Sequence, residues 1–303
     1  ARVEALRFDD RVIETSAGDV TYDTVVVAFG QRTADYGIDG VCEHGLTLKS
    51  REDAYRIHAA AERVPNGGRV VVAGGGLSGI QVAGELAEMF DGRTGKSPSV
   101  VVVEALDRIM PGSDDDLRAA IRRKMRKKGI VAHTGDPVEE ATADEVRLES
   151  GETVEHDALV WTAGLAPRDV ETSPPPERGA RGALSVRPTL QVEGYDDAFA
   201  AGDAAHVVDA EGKDVPATAW AARQQAEVIA ENVVRSIRDE PPKEYVMNDP
   251  GTLVSVGDAR VGKVAGQVID GVPARVLKRG AAVRHIAQTA GPKRGAKSAL
   301  IDL

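Results

Sequence analysis

The stretch Val70-Val-Val-Ala-Gly74-Gly-Gly76-Leu-Ser-Gly79 decides how this chain is read. A run of β-branched residues enters it, and Ser78–Phe90 leaves it with the apolar spacing of a helix. G-x-G-x-x-G between a strand and a helix predicts a βαβ unit that cradles a dinucleotide pyrophosphate. Gly74 permits the tight turn, Gly76 lets backbone approach the phosphates, and Gly79 lets helix pack closely on strand. Leu77 and Ser78 bring the first main-chain N–H groups of the helix to the anion. The next predicted strand, Ser99–Glu104, ends in a carboxylate 30 positions after Gly74, the polar loop Asp91–Pro98 accounting for the extra length. A carboxylate there accepts from both ribose hydroxyls and repels a 2′-phosphate, so NAD(H) is expected over NADP(H).

Outward from this unit the elements alternate. Residues 50–63 open on the N-cap Ser50 and read as a helix, broken by Pro65-Asn66-Gly67-Gly68. Asp114–Lys128 is a charged helix, acidic at its start and basic at its end, with Ile130–Ala132 as a third parallel strand. Val146–Leu148 and Glu152–Glu155 alternate as a hairpin, and Ala158–Trp161 is a buried strand. Upstream, Arg2–Phe8 and Arg11–Glu14 read as a hairpin or meander, and Thr21–Gly30 is an apolar run ending in glycine. Downstream, Ala198–Ala201 precedes Gly202-Asp203, and a helix over Thr218–Asp239 stops at Pro241-Pro242.

Composition narrows the function. A chain of 303 residues, 42% hydrophobic, supports about two domains, and its net charge of −10 argues against general nucleic-acid binding. The single Cys42, expected as a half-buried small residue, leaves no pair for a disulfide redox centre within these residues. The six histidines show no metal-ligand spacing, so no metal is expected; His206 is expected in a loop or lid. From Arg275 to Leu303 the net charge is +6 on a body of −16, which predicts a salt-sensitive patch for an anionic membrane surface. That would place the protein in the cytoplasm or peripherally on the inner face of the cell membrane.

The motifs and their order resemble the two-dinucleotide-binding flavoproteins, and within them the type II NADH dehydrogenases. Tyr22-Asp-Thr-Val-Val-Val-Ala-Phe-Gly30 resembles the strand that leaves the first FAD segment. Asp157-Ala-Leu-Val-Trp-Thr-Ala163-Gly164 resembles the exit from the NAD domain. Gly194-Tyr-Asp-Asp-Ala-Phe-Ala-Ala-Gly202-Asp203 resembles the FAD motif whose Asp meets the ribityl chain. Pro216-Ala-Thr218-Ala219-Trp-Ala-Ala-Arg-Gln224-Gln225 resembles the helix at the flavin, where a quinone approaches.

The resemblance implies an α/β fold of two Rossmann-like domains, the NAD domain inserted in the FAD domain, with a C-terminal α+β segment. The expected boundaries are 1–48, 49–164, 165–240 and 241–303. It further implies FAD and NAD(H) as cofactors, a quinone or other small electron acceptor, and a homodimer. Gln81 stands where the family has a Glu beside the nicotinamide, and with Gln224 and Gln225 it is the expected catalytic set; Trp220 replaces a Gln of the quinone signature. The family's opening strand–GxGxxG–helix, which holds the ADP half of FAD, has no counterpart within these residues and is expected before residue 1. Two other readings remain open: a soluble NADH-dependent reductase like ferredoxin reductases or NADH oxidases, and a truncated NAD-binding module without activity.

Overall fold

A computed structural model describes residues 1–303 except 169, 250, 275, 278, 279 and 281–303. The chain folds as two compact units. One comprises residues 1–34 and 165–249, and the other comprises 35–164 with the described residues after 250. The inserted unit therefore takes in residues 35–48 and the C-terminal strands as well as the stretch 49–164.

The inserted unit is built on five parallel strands in the order Gly45–Thr47, Ala158–Trp161, Arg69–Ala73, Ser99–Glu104, Val131–Thr134. Unbroken valine runs suit strands covered on both faces. Val70, Val72, Val100, Val102 and Val160 turn to one side, onto Ile80, Leu86 and Phe90 of the Leu77–Phe90 helix and Ile121 of the Asp115–Lys127 helix. Val71, Ala73, Val101, Val103 and Leu159 turn to the other, onto Val138, Val146, Leu148 and Val154. Those four belong to a three-stranded antiparallel sheet, Val138–Ala141, Glu145–Leu148 and Thr153–Glu155. Each fully buried valine contributes roughly 1.5–3 kcal/mol.

The Arg51–Arg63 helix begins as expected. Ser50 Oγ accepts from Asp53 N at 3.0 Å while the Asp53 carboxylate accepts from Ser50 N at 2.9 Å, a closed capping box. Residues 252–270 form a second antiparallel sheet, Thr252–Val256, Ala259–Val264 and Gln267–Asp270. Its Val254, Val256 and Val261 share the core of the Leu77–Phe90 helix. The approach is close enough that a Cβ on Gly84 would stand 2.3 Å from Gly257 N. Lys128 bridges the two, bonding Glu88 and standing 2.6 Å from Asp258.

The other unit holds smaller sheets around Leu6, Phe8, Leu190, Phe199 and Tyr245. Val3–Arg7 and Val12–Thr15 pair antiparallel as predicted, and Glu171–Ser173 adds in parallel to the first. Of the apolar run 21–30 Val25–Val27 is a strand, paired in parallel with Ala198–Ala200, while Thr21 closes the two-residue strand Val20–Thr21 that pairs with Val12–Thr15. The long helix spans Ala219–Ile237, its first turn capped by Thr218 Oγ1, which accepts from Ala221 N. His206 lies in the short strand Ala205–Val207 rather than in a loop, and Cys42 is exposed rather than half-buried. Among the described residues no helix is long and apolar enough to cross a membrane, and no group of three His, Cys, Asp or Glu side chains could hold a metal ion.

Candidate dinucleotide sites

In the inserted unit the site is made by the turn at 73–79 and two neighbouring strand ends. Gly74 has φ +105° and donates to Val103 O at 2.7 Å. A Cβ on Gly79 would stand 1.8 Å from Gly74 O, so this contact admits glycine alone. At Gly76, by contrast, a Cβ would project into open space. The Leu77–Phe90 helix has no side-chain cap, so its first N–H groups are left for a ligand. Opposite stands Glu104, only 8% exposed. Its Oε2 accepts from Gly75 N at 2.6 Å and its Oε1 from Leu106 N at 2.9 Å. Glu104 thus fixes the turn as well as facing the cavity.

That cavity, about 790 Å³, is lined by Gly74, Gly76, Glu104, Leu106, Ala163, Gly164 and Tyr36, among others. Thr162 ties the third strand end to the turn, donating to Ala73 O at 2.9 Å. Gly164 has φ +69°, and Tyr36 lies so close that a Cβ there would meet its hydroxyl. Tyr36 lies outside every motif read in the sequence, and Thr162, though inside the 157–164 motif, has no role assigned there. Gln81 and Ser78 line a different hollow, of about 790 Å³, with His58, Glu85 and Ser255.

In the other unit Gly30, Gly202, Asp203, Thr218 and Ala219 come together on one cavity of about 770 Å³, otherwise walled by Val26, Ala222 and Ile229. Gly30 and Gly202 have φ of +69° and +65°. Gln225, 2% exposed, is turned inward, its Oε1 accepting from Gly202 N at 2.8 Å. Gln224 clamps the backbone of Asn248, donating to its O at 3.1 Å and accepting from its N at 3.0 Å. Trp220 Nε1 also donates to Asn248 O, at 2.9 Å. Both glutamine amides therefore have main-chain partners. Nearby, burial works to raise the Asp209 carboxyl, but N–H groups of Lys213, Met247 and Glu211 outweigh it and hold it below the usual range.

A strand–glycine turn–helix locked by a carboxylate from the next strand defines a dinucleotide-binding α/β protein. The match to the pyridine nucleotide-disulphide oxidoreductase family runs over residues 2–226, and the chain belongs to that family. It is 28% identical to the type II NADH:quinone oxidoreductase of Haemophilus influenzae over 79% of this chain and 61% of that protein. It is also 28% identical to the Staphylococcus saprophyticus protein of the same name, over 92% of this chain and 75% of that one. The demethylphylloquinone reductase NdbB of Synechocystis is again 28% identical, over 92% and 71%. In fold the chain is similar to NDH2 of Plasmodium falciparum in complex with NADH, with a TM-score of 0.83 at 15% identity, covering 98% of this chain and 82% of that one. It is likewise similar to the sulfide:quinone oxidoreductase of Aquifex aeolicus, with a TM-score of 0.75 at 18% identity, covering 91% and 71%.

Proposed function

We propose that the protein is a flavin-dependent NADH dehydrogenase of the type II class, passing a hydride from NADH to FAD and electrons onward to a quinone. The observation that carries this reading is the Glu104-locked turn with an open cradle at Gly76. The names of its curated relatives, NADH:quinone oxidoreductases and a demethylphylloquinone reductase, support the acceptor class.

The residues divide the work. The uncapped helix start at Leu77, Ser78 and Gly79 binds the pyrophosphate of NADH, and Gly74 and Gly76 let it come close. Glu104 receives the ribose with the lone pairs its two main-chain bonds leave over, and its charge repels a 2′-phosphate. Ala163 and Gly164 bound the same cavity without bulk. For FAD, Gly30 and Gly202 allow close approach at two strand ends, Asp203 accepts from a sugar hydroxyl, and Thr218 and Ala219 present a capped helix start. FAD supplies the capacity to take two electrons as a hydride and release them singly. Gln225 and Gln224 are positioning residues, holding the Gly202 turn and the Asn248 backbone, and Gln81 is left as the expected nicotinamide neighbour.

Attachment to an anionic membrane surface is assigned to residues 275–303, nearly all outside the described residues; its sign is co-sedimentation with anionic vesicles that salt abolishes. A homodimer is tested by sedimentation velocity. The activity itself is tested on the 303-residue chain and on the chain with the expected upstream segment, scoring flavin absorbance and NADH oxidation with quinone, ferricyanide and oxygen. A yellow protein that reduces quinone supports the reading. A protein with bound flavin that reduces ferredoxin or oxygen but not quinone replaces it.

A further inference from the structure

Among the residues lining the Glu104 cavity, Tyr36 is held in a conformation that its side chain disfavours. Its φ is +56°, and Gly37 follows at +68°. Ile38 N donates to Asp35 O at 3.0 Å, closing a turn whose two central residues both have positive φ, the type I′ pattern. That pattern takes Asn, Asp or Gly at its first central position, and a bulky aromatic residue is strained there. The turn is well fixed. Asp35 Oδ1 accepts from Gly37 N at 3.0 Å, and Asp39 O accepts from Ala141 N at 2.9 Å.

The fold itself gains little from this strain. An aromatic ring stabilises a protein by burial, yet Tyr36 is 66% exposed. Its hydroxyl lies over Gly164, in the space that a Cβ would fill there, and Gly164 is itself at φ +69°. Two left-handed positions far apart in sequence thus set one phenol ring against the wall of the cavity. Leu106, 52% exposed, is a second large apolar side chain on the same cavity. Strain without a gain in packing marks a residue kept for a ligand.

The dinucleotide turn says which part of the ligand this is. With the pyrophosphate at the helix start, the carboxylate ending the next strand takes the adenosine ribose, so the base lies beyond Glu104. Leu106, two residues further on, lines the cavity there. A purine has two flat faces, and such faces stack on aromatic side chains. We propose that Tyr36 is a binding residue for the adenine of NADH, its ring stacking on the base beside Leu106. The closed turn presents the ring before the ligand arrives, so little ordering is left to binding. This assignment rests on the Glu104 turn being an NAD(H) site.

The test compares three ligands on the 303-residue protein: NADH, ADP-ribose, which keeps the adenine and lacks the nicotinamide, and reduced nicotinamide mononucleotide, which is the reverse. NADH is titrated by its fluorescence, and the other two compete against it. In Tyr36→Ala the dissociation constants of NADH and ADP-ribose should rise together, by about tenfold, while that of the mononucleotide stays the same. Tyr36→Phe keeps the ring and should stay within about twofold of the native protein. Tyr36→Asn removes the ring but suits the turn, so it should bind as weakly as Tyr36→Ala while melting at or above the native temperature. Undiminished binding of NADH in Tyr36→Ala, native protein behaving normally, would overturn this assignment alone. So would a loss shared by the mononucleotide, a loss in Tyr36→Phe equal to that in Tyr36→Ala, or a lower melting temperature in Tyr36→Asn. A native protein that binds neither NADH nor ADP-ribose would overturn the NAD(H) site and this assignment with it.

Discussion

Among the strands that lead into a glycine at positive φ are Arg69–Ala73 before Gly74 and Ala198–Ala200 before Gly202, and each of these two turns is held by a side chain from elsewhere. At the first the holder is charged: Glu104, from the neighbouring strand, accepts from Gly75 N at 2.6 Å. At the second it is neutral: Gln225, from a later helix, accepts from Gly202 N at 2.8 Å. A charge-assisted bond is roughly twice as strong as a neutral one, so the first turn is the stiffer. The same carboxylate can also select a ligand by its charge, which an amide cannot. One turn combines support with recognition, and the other gives recognition to Asp203 and support to Gln225.

The largest effect should come from breaking the stiffer turn. Gly79→Val drives a side chain into Gly74 O, 1.8 Å from the first added carbon, and should cost roughly 3 kcal/mol or more and abolish NADH binding. Thermal unfolding and a fluorescence titration read the two effects. Gly202→Ala is milder, since its Cβ would meet only Ala222 Cβ at 3.3 Å; the positive φ sets a penalty of about 1–2 kcal/mol. Gln225→Leu, which leaves the Gly202 N–H without its acceptor, should cost about 1–3 kcal/mol and lower flavin occupancy without changing NADH affinity. Equal loss of both ligands would show that the two turns are not independently held.

The smallest effect is in the response to acid. In the inserted unit burial holds His156 below its ordinary value. The unfolded chain then takes up a proton that the fold does not, and stability falls as pH drops below about 6.5 toward the lowered value. In the other unit Asp209 is held below the carboxylate range, so its stabilisation is present above about pH 4 and lost as pH falls through the lowered value. Amide protection factors, which divide out the slower intrinsic exchange in acid, should therefore fall first in residues 131–161 as pH drops below about 6.5, and near Asp209 only below about pH 4. The reverse order would remove His156 from the account.

The first turn was legible because its determinants are local. Valine runs, three glycines and a terminal Glu fall within one βαβ unit, and strands 69–73 and 99–104 and the capped helix after Ser50 form where the sequence placed them. The inward turn of Gln225 was not legible. Helical spacing places Gln224 and Gln225 side by side, and only the partners Asn248 and Gly202 decide what each amide does. Nor was Val138–Ala141 legible as a strand, since Val-Glu-Glu-Ala carries a weak alternation that pairing with Glu145–Leu148 completes. The packing of residues 252–270 on the Leu77–Phe90 helix depends on Gly84 meeting Gly257, a coincidence of two distant glycines.

The central claim is that the Glu104-locked turn is an NAD(H) site that discriminates by charge. The most direct measurement is the pair of dissociation constants for NADH and NADPH, on the native protein and on Glu104→Gln. The account predicts that the native protein prefers NADH. In the variant NADH should bind more weakly and the preference should shrink by about tenfold or more, as one acceptor and the repelling charge are lost. A preference unchanged by Glu104→Gln, or a native protein that binds NADPH as well as NADH, would contradict it.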